Sequence, residues 1–206
     1  MQKLVIYTAV LGLAGAAGRV TSFAVGTKPA PVEIATPVPL DEQMAAASAG
    51  AHSATSVVTL ANMAGGSNSV EDWQGKPRLV NFWATWCAPC RREIPLLKSL
   101  QTAQQPEGLQ VIGIAHDEMD AVIAYAEETD FNYPVLVGEV EVIAAAEAFG
   151  VPLKGLPFTL VLSAEGELVN TLVGEMDAEE AEVIIDVLSK LEAGELTLEA
   201  AREALE

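Results

Sequence analysis

Two cysteines, the only two in the chain, stand at Cys87 and Cys90, directly behind an apolar run from Leu79 to Ala84 and ahead of a helix-forming stretch. A compact apolar run of this length reads as a buried strand. Pro89 falls in the first helical turn, where its missing N–H costs nothing. The chain is therefore expected to pass from strand to helix at the cysteines. Two sulfurs three positions apart then share one helical face. With two cysteines a four-thiolate zinc site is excluded, and so is a multi-bridge secreted scaffold. A disulfide between them closes too short a loop to stabilise much, so a chemical role outweighs a structural one.

The chemistry follows from the position. Unpaired N–H groups and the positive dipole end at a helix start favour an anion. In a C-x-x-C motif this lowers the thiol pKa and raises the thiolate fraction, and the thiolate is the nucleophile of exchange. Cys87 is expected to be exposed and to attack a substrate disulfide, with Cys90 inward and resolving the mixed disulfide. Glu93 lies one turn beyond Cys90 on the same face. If buried, its pKa rises and it can exchange protons with Cys90. The competing reading is a solvated carboxylate beside Arg91 and Arg92. Trp86 is either part of the substrate surface or strand-end packing. Pro95, inside the helix, should kink it.

The flanking sequence sets the organisation of the 206-residue chain. Residues 1–25 hold one early lysine, Lys3, and an apolar run from Leu4 to Ala17, the pattern of a signal peptide or an N-terminal membrane anchor. Residues 26–54, with Pro29, Pro31, Pro37 and Pro39 and then an Ala/Ser/Gly stretch, read as a flexible linker. Residues 55–192 form the folded domain, and residues 193–206 a tail that either frays or makes a short helix. Within the domain, Val57–Leu60, Leu79–Ala84, Leu109–Ala115, Tyr133–Val137, Thr159–Leu162 and Leu168–Val173 are strand candidates. Helices are expected over Pro89–Gln104, from Asp120 to Glu128, up to Gly150 along the Val142, Ile143, Ala146, Phe149 face, and after Asp177. Gly166 suits a hairpin, and Asp177 with Glu180 a capping box. Val183, Ile184, Val187, Leu188 and Leu191 form an amphipathic stripe that reads as core packing. The order implies an α/β fold, a central mixed sheet with helices on both faces.

The formal net charge of −18 repels phosphate and argues against nucleic-acid partners and against docking on anionic lipid through a basic patch. His116 and Asp117 end a strand at the expected C-terminal edge of the sheet, where a metal role would need more ligands; His116 reads as an ordinary loop histidine, and His52, in the linker, suggests nothing.

The segment Asn81 to Pro95, NFWATWCAPCRREIP, resembles the thioredoxin superfamily, in its TlpA/ResA-like (DsbE-like) branch. The resemblance runs from about Thr55 to Leu191. It implies a thioredoxin-like fold and a protein disulfide oxidoreductase whose only redox group is the Cys87–Cys90 disulfide, with no metal and no other cofactor. It implies that Gly155-Leu156-Pro157 is the cis-proline loop, with Pro157 opposite the cysteines and the backbone beside it pairing with substrate. Trp86, Ala88, Pro89, Leu156 and Pro157 then make the substrate surface, and Glu93 matches the branch's active-site glutamate. Asn81 stands where cytosolic thioredoxins carry a buried aspartate. Phe158 stands where the family commonly has threonine, which alters the groove. The segment before Trp73 matches poorly.

The function expected is reduction of disulfides in exported proteins, in the periplasm or cell envelope, serving cytochrome c maturation or related metalloprotein assembly. An exported dithiol in an oxidising compartment needs a membrane thiol-relay electron donor, and an N-terminal tether would keep it near one. Two alternatives compete: a thiol-based module carrying copper or another soft metal, and a peroxidase.

Overall fold

The structure is a computed structural model of the chain, and it describes residues 58–104 and 108–206. The leader, the whole linker and the first three residues of the expected domain, residues 1–57, lie outside the described residues. β1 (Leu60–Asn62) and β2 (Ser67–Asn68) form a small hairpin, followed by a 3-10 turn at Val70–Trp73. Then come β3 (Arg78–Trp83), α1 (Ala88–Ala103), β4 (Gln110–His116), α2 (Met119–Thr129), β5 (Val135–Gly138) and α3 (Val140–Ala148). β6 (Phe158–Leu162), β7 (Leu168–Val173), α4 (Ala178–Glu192) and α5 (Leu198–Ala204) complete the described chain.

The strands form one sheet in the order β2-β1-β5-β4-β3-β6-β7. β3, β4 and β5 are parallel neighbours, as two strand–helix–strand crossovers require, and the remaining pairs are antiparallel. All six residues of β3 are buried, as befits a central strand covered on both faces. Alternation divides it: Leu79 and Trp83 join a core with Ile94 and Leu97 of α1, Val122 of α2, Ile184 and Leu188 of α4 and Ala201 of α5. Val80 and Phe82 face the other way, onto Val142 and Ala146 of α3, and Phe82 stacks on Phe158 at 4.3 Å between ring centroids. The mixed sheet with helices on both faces is the architecture expected.

Local signals held where they depended on near neighbours. Asp177 and Glu180 close the capping box of α4 in both directions, at 2.9 and 3.0 Å. Gly166 turns the β6–β7 hairpin at φ +93°. Gly150 (φ +75°) ends α3, with the Val151 amide returning to Ala146.

Other expectations shift. Of the first strand candidate, Val58 and Thr59 precede β1, which starts at Leu60, and Val57 lies outside the described residues; β2 takes up Ser67 and Asn68, which the Gly65-Gly66-Ser67-Asn68 pattern marks as a turn. α2 begins at Met119, with Glu118 as its N-cap and no side-chain cap; Asp120, the expected cap, is inside the first turn. Ile143 (38% exposed) and Val183 (46% exposed) point outward, and Ala145 and Ala181 take the core positions instead. Pro95 sits on the exposed side of α1 and the helix runs through it. The C-terminal residues form α5, which lies on β7: Arg202 donates to the Leu168 carbonyl and Asn170 to the Leu205 carbonyl.

Candidate active site

β3 delivers the chain to the sheet edge where β4 also ends, and four residues later α1 begins. The turn between them is tied twice. The Cys87 amide returns to the Ala84 carbonyl at 3.2 Å. Asp117, just past β4, accepts from the Thr85 amide at 2.9 Å and the Thr85 hydroxyl at 2.6 Å. From sequence, Asp117 carries no role beyond ending a strand. It holds the turn that presents the cysteines, and its only sequence signal was its place beyond a strand end.

Cys87 is the N-cap of α1, extended at φ −86°, ψ 104°, and its sulfur accepts from the Cys90 amide at 3.3 Å. Ala88 and Pro89 form the opening turn, as the missing proline N–H permits. Cys87 and Cys90 are joined in a disulfide, their Cα atoms 5.3 Å apart. Cys90 is 0% exposed and Cys87 5%. Cys87, expected to be exposed, is buried: in the disulfide its sulfur is taken into the helix cap, and it is only slightly more open than Cys90. The exposed parts of the site are Trp86, at 66%, and Ala88. Trp86 therefore does not serve strand-end packing.

Glu93 is not a solvated carboxylate. It is 1% exposed, one turn below Cys90, and both of its oxygens are taken. Asn81 of β3 donates to Oε1 at 2.8 Å, and the Met176 amide, between β7 and α4, donates to Oε2 at 2.9 Å. Asn81 also donates to the Thr159 hydroxyl of β6 at 3.0 Å, its register partner across the sheet. Burial pushes the Glu93 carboxyl above its ordinary range; the two hydrogen bonds pull it down, and the charge of Glu175 adds to the rise. Tyr133 lies close enough to feel that charge: its phenol is raised chiefly by its own burial and further by Glu93. Arg91 and Arg92, the neighbours of the solvated reading, are exposed. Arg92 pairs with Glu175.

Leu156–Pro157 is a cis peptide bond. Pro157 directly precedes β6, whose first residue, Phe158, faces Phe82 in β3, so it stands at the cysteine edge of the sheet. Its carbonyl accepts from the Gly174 amide at 2.9 Å. Among the described residues no hydrogen bond takes up the backbone of Leu156. Phe158 itself is buried against Phe82, away from solvent. Its effect on a groove is thus through packing and not through contact. Met176 and Thr159, the partners that hold the acid and its asparagine, carried no sequence signal. His116 is engaged by the Glu139 carbonyl at 3.1 Å.

This arrangement can do disulfide exchange: an outer sulfur at a helix N-terminus, an inner sulfur bonded to it, a buried carboxyl behind the inner one, and an unpaired backbone segment at the same edge. Residues 52–171 match the model of the AhpC/TSA family. The chain is 31% identical to the thioredoxin-like protein YneN of Bacillus subtilis over 133 residues, 63% of this chain and 75% of that one. It is 29% identical to the thiol–disulfide oxidoreductase ResA of Bacillus cereus, over 55% of this chain and 64% of that protein's length. A crystal structure of a thiol:disulfide interchange protein of the thioredoxin family, from Chlorobium tepidum, superposes with a TM-score of 0.57 at 29% identity, covering 64% of this chain and 92% of that one.

Proposed function

The chain belongs to the AhpC/TSA family, in the ResA-like branch of the thioredoxin superfamily, and on that premise we propose that this thiol–disulfide oxidoreductase reduces disulfides of exported proteins in the periplasm or cell envelope. The observation that carries the reading is the disulfide at the head of α1 with a buried, doubly hydrogen-bonded carboxylate one turn behind it.

In the reduced protein the helix start favours the thiolate at Cys87. That thiolate attacks one sulfur of the substrate disulfide, and the other leaves as a thiolate, giving a mixed disulfide. Cys90 gives its proton to the Glu93 carboxylate and attacks the Cys87 sulfur. The second substrate sulfur leaves and takes up a proton, and the protein ends as the Cys87–Cys90 disulfide. The substrate chain lies against Leu156, Pro157, Trp86, Ala88 and Pro89, with the free backbone of Leu156 pairing with it. The exchange runs on the two sulfurs, with no further cofactor.

Return to the dithiol needs a donor of two electrons. In an oxidising compartment that is a membrane thiol relay, and the N-terminal segment, cleaved or kept as an anchor, brings the domain to the envelope. None of the described helices is long and apolar enough to cross a membrane. The process served is cytochrome c maturation or a related metalloprotein assembly.

The Cys90→Ala protein should retain a mixed disulfide on Cys87 when given a disulfide-containing exported protein. A redox titration should give a potential nearer that of thioredoxin, about −270 mV, than the roughly −120 mV of a dedicated oxidant. A partner trapped on Cys90 in a Cys87→Ala protein would reverse the two roles, and a strongly oxidising potential would reverse the direction. Copper held stoichiometrically without any exchange would replace the enzyme reading by metal carriage.

A further inference from the structure

Three consecutive residues between β7 and α4 reach three parts of the site. Gly174 donates its amide to the Pro157 carbonyl at 2.9 Å. Met176, 2% exposed, donates its amide to Glu93 at 2.9 Å. Between them, Glu175 receives the Arg92 guanidinium in a fork, Nε at 3.1 and 3.0 Å from the two oxygens and Nη2 on one of them. Successive residues of α1, Arg92 and Glu93, thus grip successive residues of one loop, Glu175 and Met176. Arg92 and Glu175 are partly open to solvent, with side chains 61% and 33% exposed.

We propose that Arg92 and Glu175 are positioning residues for the site: their ion pair holds the Gly174–Met176 segment so that the Met176 amide stays on Glu93. The proposal rests on the reading of Glu93 as the proton partner of Cys90.

An exposed pair adds little to global stability. Its geometry here does something more local. A bidentate guanidinium–carboxylate pair fixes orientation as well as distance. The backbone donor it orients is one of only two hydrogen bonds that stabilise the charged form of Glu93. Arg92 also pairs with Glu175, the like charge that raises the Glu93 carboxyl. The other groups around Glu93 are few: Cys90 and Cys87 in the disulfide, Asn81 on β3, and the neutral phenol of Tyr133 before β5. Asp177 is drawn into its capping box with Glu180. Without Arg92 both changes act the same way: Glu175 stands uncompensated and the Met176 donor loosens, so the Glu93 carboxyl titrates at higher pH.

The test uses the oxidised full chain and two nuclear magnetic resonance readouts, exchange of the Met176 amide and titration of the Glu93 carboxyl carbon. Neither requires exchange activity, so loss of the reductase reading and loss of this one are distinguishable. In Arg92→Gln and in Glu175→Gln, the Met176 amide should exchange about tenfold faster, as for loss of a hydrogen bond to a charged acceptor. In Arg92→Gln the Glu93 midpoint should rise by about half a pH unit, a charge effect discounted for exposure. The swap R92E/E175R should restore the protection of the amide. Arg92→Lys, which keeps the charge and loses the fork, should recover the midpoint more than the protection. Wild-type exchange and midpoint in Arg92→Gln would overturn the proposal. Faster exchange spread evenly over α1 and α4 would overturn it too, since that marks general loosening.

Discussion

At Glu93 two effects oppose each other. Burial disfavours the charge, while Asn81 and the Met176 amide favour it, and burial prevails. The sign of the consequence is definite. A carboxyl whose folded pKa lies above the ordinary 4.5 binds protons more tightly in the folded state than in the unfolded one. Its contribution is therefore fully present below the unfolded value and is lost as pH rises through the folded one. Denaturant titrations of the oxidised protein should show stability falling as pH rises across that window. In Glu93→Gln this slope should disappear. Gln retains a carbonyl for only one of the two donors, so one buried hydrogen bond is lost, at about 1 kcal/mol, which offsets part of the gain from removing the charge. A pH slope that survives in Glu93→Gln would assign it to another group. From sequence, the helical spacing put Glu93 behind Cys90 but left its solvation open. The deciding partner, Met176, is 83 positions away.

Among the elements, β4 shows how a residue without a side chain serves its neighbours. Gly113 faces the α1 side of the sheet beside Asn81. A Cβ there would stand 3.1 Å from Trp83 Nε1 and 3.2 Å from Tyr133 Cε2. Trp83 is fully buried and is packed against Tyr125 and Phe131 at 5.6 and 5.4 Å between centroids, so it has little room to give way. Gly113→Ala should cost about 1–3 kcal/mol in a denaturant titration, the range for overpacking. It should also disturb the junction that Trp83 leads into, read as altered Trp fluorescence. A neutral substitution would mean that the aromatic group is looser than its packing implies. Elements whose rules are local, such as the capping box of α4 and the Gly150 end of α3, were legible in the sequence. The start of α2 was not, because its N-cap, Glu118, makes no side-chain cap bond that would mark it in the sequence.

Across the whole molecule, sheet order does what no segment does alone. Placing β3 between β4 and β6 brings Asp117, the cysteines and Pro157 to one edge. Running β7 beside β6 brings Met176 over Glu93. The same order leaves β7 as an edge strand, and α5 covers it, with Ala201 fully buried and Arg202 and Asn170 bonding across. An uncovered edge invites pairing with other chains. Ending the chain after Gly194 should lower stability by at least about 2 kcal/mol, for lost apolar burial and three hydrogen bonds. Amide exchange in β7 should quicken and aggregation increase. If β7 protection is unchanged, α5 is an ornament on a self-sufficient strand.

The cysteine pair, the helix it heads, the strand before it and the α/β class were determined by the sequence alone, because each follows from residues within a few positions of one another. The family resemblance supplied the expectation at Leu156–Pro157. The burial of Glu93, its two donors, the Asp117 tie and the covering of β7 were decided only by tertiary structure. Each of these joins segments far apart in the chain, and hydrogen-bond and burial partners at that separation are chosen by which strands lie side by side.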